Sequence, residues 1–167
     1  MAYRNFERPS PNCGAGRNER LGVLFHHSQT GFEETIARMG EPESQVSYHC
    51  LIDRDGTRCT LAEDTRVAWH AGASSFLGRS RCNDFLVGVS FAGDTYVEPL
   101  SGDQIESALD WLDARWDPLG WDPGRMTDHR QVSPGRKLDL NPPEWDRLIA
   151  AIGARFAGRE ARRSFTC

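Results

Sequence analysis

Two short, almost wholly apolar runs punctuate the chain: Leu21-Gly22-Val23-Leu24-Phe25, which leads into His26-His27, and Phe85 to Phe91, bounded by Asp84 and Gly93. Runs of this length suit strands covered on both faces, so other elements must pack above and below them. The segments around them supply such elements. Phe32, Ile36 and Met39 recur at helical spacing and are followed by Gly40 and Pro42, which predicts a short helix. Ser101 with Gln104 reads as a capping box ahead of an apolar face of Ile105, Ala108, Leu109, Trp111 and Leu112. Asn141 with Glu144, and Pro142 at the first helical position, predicts a second boxed helix that turns Trp145, Leu148, Ile149 and Ile152 inward. Val46 to Leu51, the turn Asp53-Arg54-Asp55-Gly56 and Thr57 to Leu61 read as a hairpin. Strands and helices interleaved in this way imply an α/β fold: a single domain with a central mixed sheet flanked by helices.

A length of 167 residues with 38% hydrophobic content suits one core. On composition the chain divides into a polar leader (1–20), a domain (21–157) and an Arg-rich tail (158–167), which is expected to be frayed. The leader lacks the apolar stretch of a secretory signal or membrane span, so the expectation is a cytoplasmic protein with no membrane partner. Basic residues are dispersed and the formal net charge is −4, which argues against nucleic acid as a partner. A monomer is expected. Five cysteines at irregular spacing do not suggest a disulfide framework and fit a reducing compartment.

Histidines and carboxylates arranged around a metal ion, with one position left for water, are the usual equipment of metal-assisted hydrolysis. The candidates are His26, His129 and Asp139. The last two are joined by Arg130 to Leu138, a segment whose Pro134 and Gly135 let it fold back. His26 and His27 cannot both face one ion from an extended segment, because successive side chains point to opposite faces of a strand. His49, in a strand, reads as structural. The segment Arg66 to Ser80, which holds Trp69 and His70, has no clear period and reads as a loop lining a cleft.

Several stretches together carry a resemblance: Val23 to Ser28, Val46 to Gly56, Ala68-Trp69-His70-Ala71-Gly72, Arg81 to Phe85, Gly88 to Gly93 and Asp128 to Pro142. In that order they resemble the type 2 N-acetylmuramoyl-L-alanine amidases, which include AmpD-like recycling enzymes, phage amidase lysozymes and peptidoglycan recognition proteins. The resemblance implies a zinc (Zn2+) amidase that cuts between the muramic acid lactyl group and L-alanine in peptidoglycan fragments or the sacculus. It assigns His26, His129 and Asp139 as metal ligands and leaves His27 outside. Lys137 would stabilise the oxyanion. Tyr48 would orient or polarise the attacking water or the oxyanion, because Ser90 stands where AmpD-like members carry a glutamate. Trp69, His70, Asn83 and Arg81 would line the substrate groove. Two other readings follow from the same residues: a peptidoglycan-binding relative without turnover, prompted by Ser90, and a zinc hydrolase of a different amide. The stretch Gly78 to Phe85 favours a recycling enzyme, whereas tyrosine in place of glutamate favours a phage-type lysin.

Overall fold

The computed structural model describes residues 2–159, so the tail from 160 onward lies outside the described residues. In chain order the elements are β1 (Asn5–Glu7), β2 (Cys13–Arg17), β3 (Gly22–His27), α1 (Phe32–Gly40), β4 (Cys50–Ile52), β5 (Arg58–Thr60), β6 (Arg66–Ala68), β7 (Ser75–Phe76), β8 (Arg79–Ser80), β9 (Leu86–Phe91), α2 (Gly102–Leu119), β10 (Met126–Asp128), α3 (His129–Val132) and α4 (Pro142–Phe156). The central sheet has the order β1-β5-β4-β9-β3-β10. It is mixed, as expected: β4, β9, β3 and β10 run parallel, while β5 returns antiparallel on β4.

The two apolar runs become β3 and β9, side by side in the sheet and buried at every position. Strand alternation sorts their side chains. Val23, Phe25, Val87, Val89 and Phe91 join Leu109, Leu112 and Trp116 of α2 and Leu148 and Ile152 of α4 in the main core. Leu24 and Leu86 face the other way, against Ala71, Cys82, Phe85 and Val132. His26 shares the face of Leu24, and His27 shares that of Phe25. Both sit at the carboxyl ends of parallel strands, where open α/β sheets form their clefts.

The Ser101 capping box forms as expected. Ser101 Oγ accepts from Gln104 N at 2.9 Å and Gln104 Oε1 accepts from Ser101 N at 3.0 Å. The amide of Gln104 also donates to Ala92 O at 3.0 Å, which ties α2 to the end of β9. The box expected at Asn141 does not form, because both of its members are engaged elsewhere. Asn141 Nδ2 donates to Thr95 O at 3.2 Å, and the Glu144 carboxylate accepts from Leu100 N at 2.9 Å. The hairpin is β4–β5, but its first strand begins only at Cys50. Upstream, Ser47 and His49 donate instead to Trp69 O and Gly88 O. The expected loop from Arg66 to Ser80 contains the short strands β6, β7 and β8. Among the described residues no helix is long and apolar enough to cross a membrane.

The polar leader, separated from the domain on composition, is woven into the fold. β1 pairs with β5 and extends the sheet, and β2 pairs with β6 in a ribbon that leads into Trp69 and His70. Asn12 is buried between them, and its amide faces Met39 O, Glu41 O and Val46 O at 3.0 to 3.3 Å. Apolar content could not reveal this, because the leader is held by hydrogen bonds. Asn12→Ala removes these bonds together and is expected to lower the unfolding free energy by about 1–3 kcal/mol in urea titration. An unchanged midpoint would show that the leader is not anchored there.

Candidate metal centre

β10 pairs in parallel with β3, Asp128 opposite Phe25, and passes directly into α3, so His129 emerges beside His26. Asp128 is fully buried and caps α3 by accepting from Gln131 N at 3.0 Å, which fixes how His129 leaves the strand. The chain then turns at Gly135, whose φ of 77° suits glycine, and returns at Asp139. There the Asp139 carbonyl accepts from Arg130 N at 2.7 Å.

Three donor atoms now face one another. His26 Nδ1 lies 3.0 Å from His129 Nδ1 and 3.4 Å from Asp139 Oδ2, and His129 Nδ1 lies 3.3 Å from Asp139 Oδ1. All three residues are buried, and they form a group with metal-ligating spacing. The outer ring nitrogens decide which atoms carry protons. A carbonyl only accepts, so His129 Nε2–H donates to Ala71 O at 3.0 Å and His70 Nε2–H donates to Leu86 O at 3.2 Å. His70 Nδ1 is therefore an acceptor, and His26 Nε2–H donates to it at 3.0 Å. Both Nδ1 atoms are left with bare lone pairs aimed at each other and at a carboxylate. Such an arrangement is repulsive unless a cation sits within it. Tetrahedral zinc with bonds of about 2.0–2.1 Å sets its donors ~3.3 Å apart. The observed separations match that edge, and the donor set of two imidazoles and one carboxylate suits zinc while leaving a fourth position free.

Burial lowers the His26 pKa to about 4, with His129 adding to the effect, so the imidazole is neutral at pH 7 as a ligand must be.

Comparison with known proteins agrees with this geometry. Residues 17–142 match the family described as N-acetylmuramoyl-L-alanine amidase. The chain belongs to that family. It is 37% identical over 111 residues to the 1,6-anhydro-N-acetylmuramyl-L-alanine amidase AmpD of Citrobacter freundii, a match spanning 65% of this chain and 58% of that relative. The solution structure of Citrobacter freundii AmpD superposes with a TM-score of 0.65 at 28% identity, covering 92% of each chain. The amidase AmiD of E. coli, solved with the substrate anhydro-N-acetylmuramic acid-L-Ala-D-gamma-Glu-L-Lys, shares the fold with a TM-score of 0.70 at 21% identity, over 86% of this chain and 60% of that one.

Within this amidase fold the remaining site residues fall into two groups. Tyr48, Lys137 and Asp139 line a cleft of about 490 Å³ together with Arg38 and Tyr96. The Tyr48 ring packs 5.2 Å from that of His26, and burial pushes its phenol up to about 12. Ser90 pairs with His26 across the strands, and its buried hydroxyl approaches the Tyr48 phenol without a well-formed hydrogen bond. The groove residues are more divided. Trp69 is 36% exposed beside a second hollow, and Arg81 is exposed and paired with Asp84 at 3.0 Å. Asn83 and His70, expected in the groove wall, border the hollows there and also hold the loop together. Asn83 Oδ1 accepts from His70 N and Ala71 N at 3.0 and 2.8 Å, and so shapes the loop. His70 is buried with both ring nitrogens engaged, Nδ1 by His26 and Nε2 by Leu86 O. His49 is structural, as expected: its ring links Gly88 N to Arg66 O. Arg136, which sequence reasoning missed, donates to Ala71 O, Ala73 O and Ser133 Oγ at 2.6 to 2.8 Å and ties the groove wall to the ligand loop.

Two measurements probe this arrangement. A Cβ at Gly88 would lie 2.6 Å from His70 Cγ, so Gly88→Ala should displace His70, cost about 1–3 kcal/mol of stability and weaken metal binding. Parent-like zinc affinity in that variant would remove His70 from the support of His26. Separately, His26 binds fewer protons when folded than when unfolded between its ordinary value of 6.5 and about 4. His49 and His70 are also lowered by burial. The metal-free protein should therefore lose stability as pH falls from 6.5 towards 4. Urea midpoints that stay flat across that window would contradict the assignment.

Proposed function

We propose that the protein is a zinc-dependent amidase that hydrolyses the amide between the lactyl group of muramic acid and L-alanine in peptidoglycan fragments. The observation that carries the reading is the convergence of three unprotonated donors, spaced as on a tetrahedral ion, beside an open cleft. When bound, zinc supplies Lewis acidity for amide hydrolysis. His26, His129 and Asp139 would hold it. Lys137 borders the cleft and adds positive charge near His26, so its ammonium suits the negative charge that develops on the scissile carbonyl oxygen. Tyr48 keeps its proton at neutral pH and acts as a hydrogen-bond donor rather than a base. That role is compatible with Ser90 in place of a carboxylate. Trp69 and Arg81 are the exposed groups placed to meet sugar or stem peptide. The muropeptide named with AmiD supports an occupant of this class.

Purified protein assayed on soluble anhydro-muropeptide and on intact sacculus, with and without chelator, tests the reading. A recycling enzyme should strongly prefer the soluble fragment, and a lysin the sacculus. His129→Ala should lose both metal and turnover. Tyr48→Phe should retain one zinc per chain and turn over more slowly by roughly 10-fold or more. Turnover that survives complete metal removal, or none with the zinc-loaded parent, would overturn the proposal.

A further inference from the structure

We infer that His27, the neighbour of His26 on the opposite face of β3, is a positioning residue for Asp139: it holds the turn at Asp94–Tyr96, and that turn holds the backbone on both sides of Asp139. The inference rests on the metal reading above and adds a residue outside the ligand set.

His27 is 6% exposed, so a solvated bystander is not what the fold contains. Its Nδ1 lies 3.0 Å from Thr95 N and 2.8 Å from Thr95 Oγ1. A backbone N–H can only donate, so Nδ1 is unprotonated and accepts. The Thr95 hydroxyl must then also give its proton to Nδ1. That orientation turns the hydroxyl lone pairs outward, where one accepts from Asn141 N at 2.9 Å. The polarity of the chain of bonds, from Asn141 through Thr95 to His27, is thus set by the imidazole.

Two further bonds complete the clamp. Asn141 Nδ2 donates to Thr95 O at 3.2 Å, and the Tyr96 hydroxyl donates to Leu138 O at 2.9 Å. Residues 138 and 141 flank Asp139, and neither bond uses its carboxylate, which remains free for the ion. The ionisable groups that act on His27 are Asp139, Asp94, whose Oδ1 lies 3.6 Å from Nδ1, and His129. One strand therefore serves the metal from both faces: His26 as ligand, and His27 through Thr95 as the brace of the ligand that arrives last in the chain. Groups that orient metal ligands from outside the coordination sphere commonly change affinity by 10–100-fold.

The test uses the full chain and zinc alone as probe, with affinity read by competition against a chromophoric chelator and metal-free melting recorded alongside. At saturating zinc every variant should still bind one ion. Thr95→Val, which keeps shape but not the hydroxyl, and His27→Ala should bind zinc roughly 10–100-fold more weakly. Thr95→Ser and His27→Asn, which restore a hydroxyl and an acceptor near the Nδ1 position, should return to within about 3-fold of the parent, a rescue that a purely structural role does not require. Cobalt-loaded Thr95→Val should show a visible spectrum altered from the parent, since Asp139 is displaced, while cobalt-loaded Thr95→Ser should not. Unchanged zinc affinity in Thr95→Val, or His27→Asn binding no more tightly than His27→Ala, overturns the proposal. Should His27→Ala fail to fold, the threonine pair decides. A parent chain that binds no zinc would instead bring down the metal reading and this inference with it.

Discussion

Two imidazole lone pairs and a carboxylate pressed together without a proton among them form the arrangement on which the rest of this molecule turns. Left alone they repel. The fold accepts that cost because it assigns the protons elsewhere: Ala71 O takes the one on His129, and Leu86 O, through His70, fixes the one on His26. Supporting each ligand by its outer nitrogen is how metal sites hold tautomer and ring orientation. Here the supports are backbone carbonyls, one in the loop after β6 and the other in β9, so the sheet itself sets the chemistry of the site.

That dependence explains why elements far from the cleft matter to it. β9 contributes Leu86 O, the bare backbone of Gly88 against which the His70 ring rests, and Ser90 beside Tyr48. The β2–β6 ribbon, built half from the polar leader, carries the chain into Trp69 and His70. Asn18 anchors the same region by donating to Asn83 O and Leu86 O at 2.9 and 2.8 Å. On the far side, α2 and α4 bury the sheet, while the loop between β9 and α2 brings Thr95, and the start of α4 brings Asn141, to the back of β3.

Much of this was legible before the structure. The apolar runs marked the two central strands, because a strand buried on both faces leaves an unbroken hydrophobic signature. Strand alternation separated His26 from His27, and the resemblance supplied the ligand set that the geometry brings together. The Ser101 capping box was readable because both of its members are local. What escaped was held by hydrogen bonds between segments distant in sequence, which leave no periodic trace. Asn141 and Glu144 have the spacing of a box, yet each found a better partner outside its helix. Arg136, Thr95 and Tyr96 look like ordinary loop residues until their acceptors are known. The resemblance puts His70 in the groove wall, and the hydrogen bonds that bury its ring between His26 and Leu86 O are contacts no local pattern announces.

Ala71 O is a single carbonyl that receives two donors, His129 Nε2–H and the Arg136 guanidinium. An sp² oxygen has two lone pairs, and both are occupied. The groove wall therefore cannot withdraw without freeing the ring of a ligand, and the ligand loop cannot shift without tugging on the wall. In a mutational survey, damage to this small-residue stretch would register as a coordination defect even though no coordinating side chain had been touched.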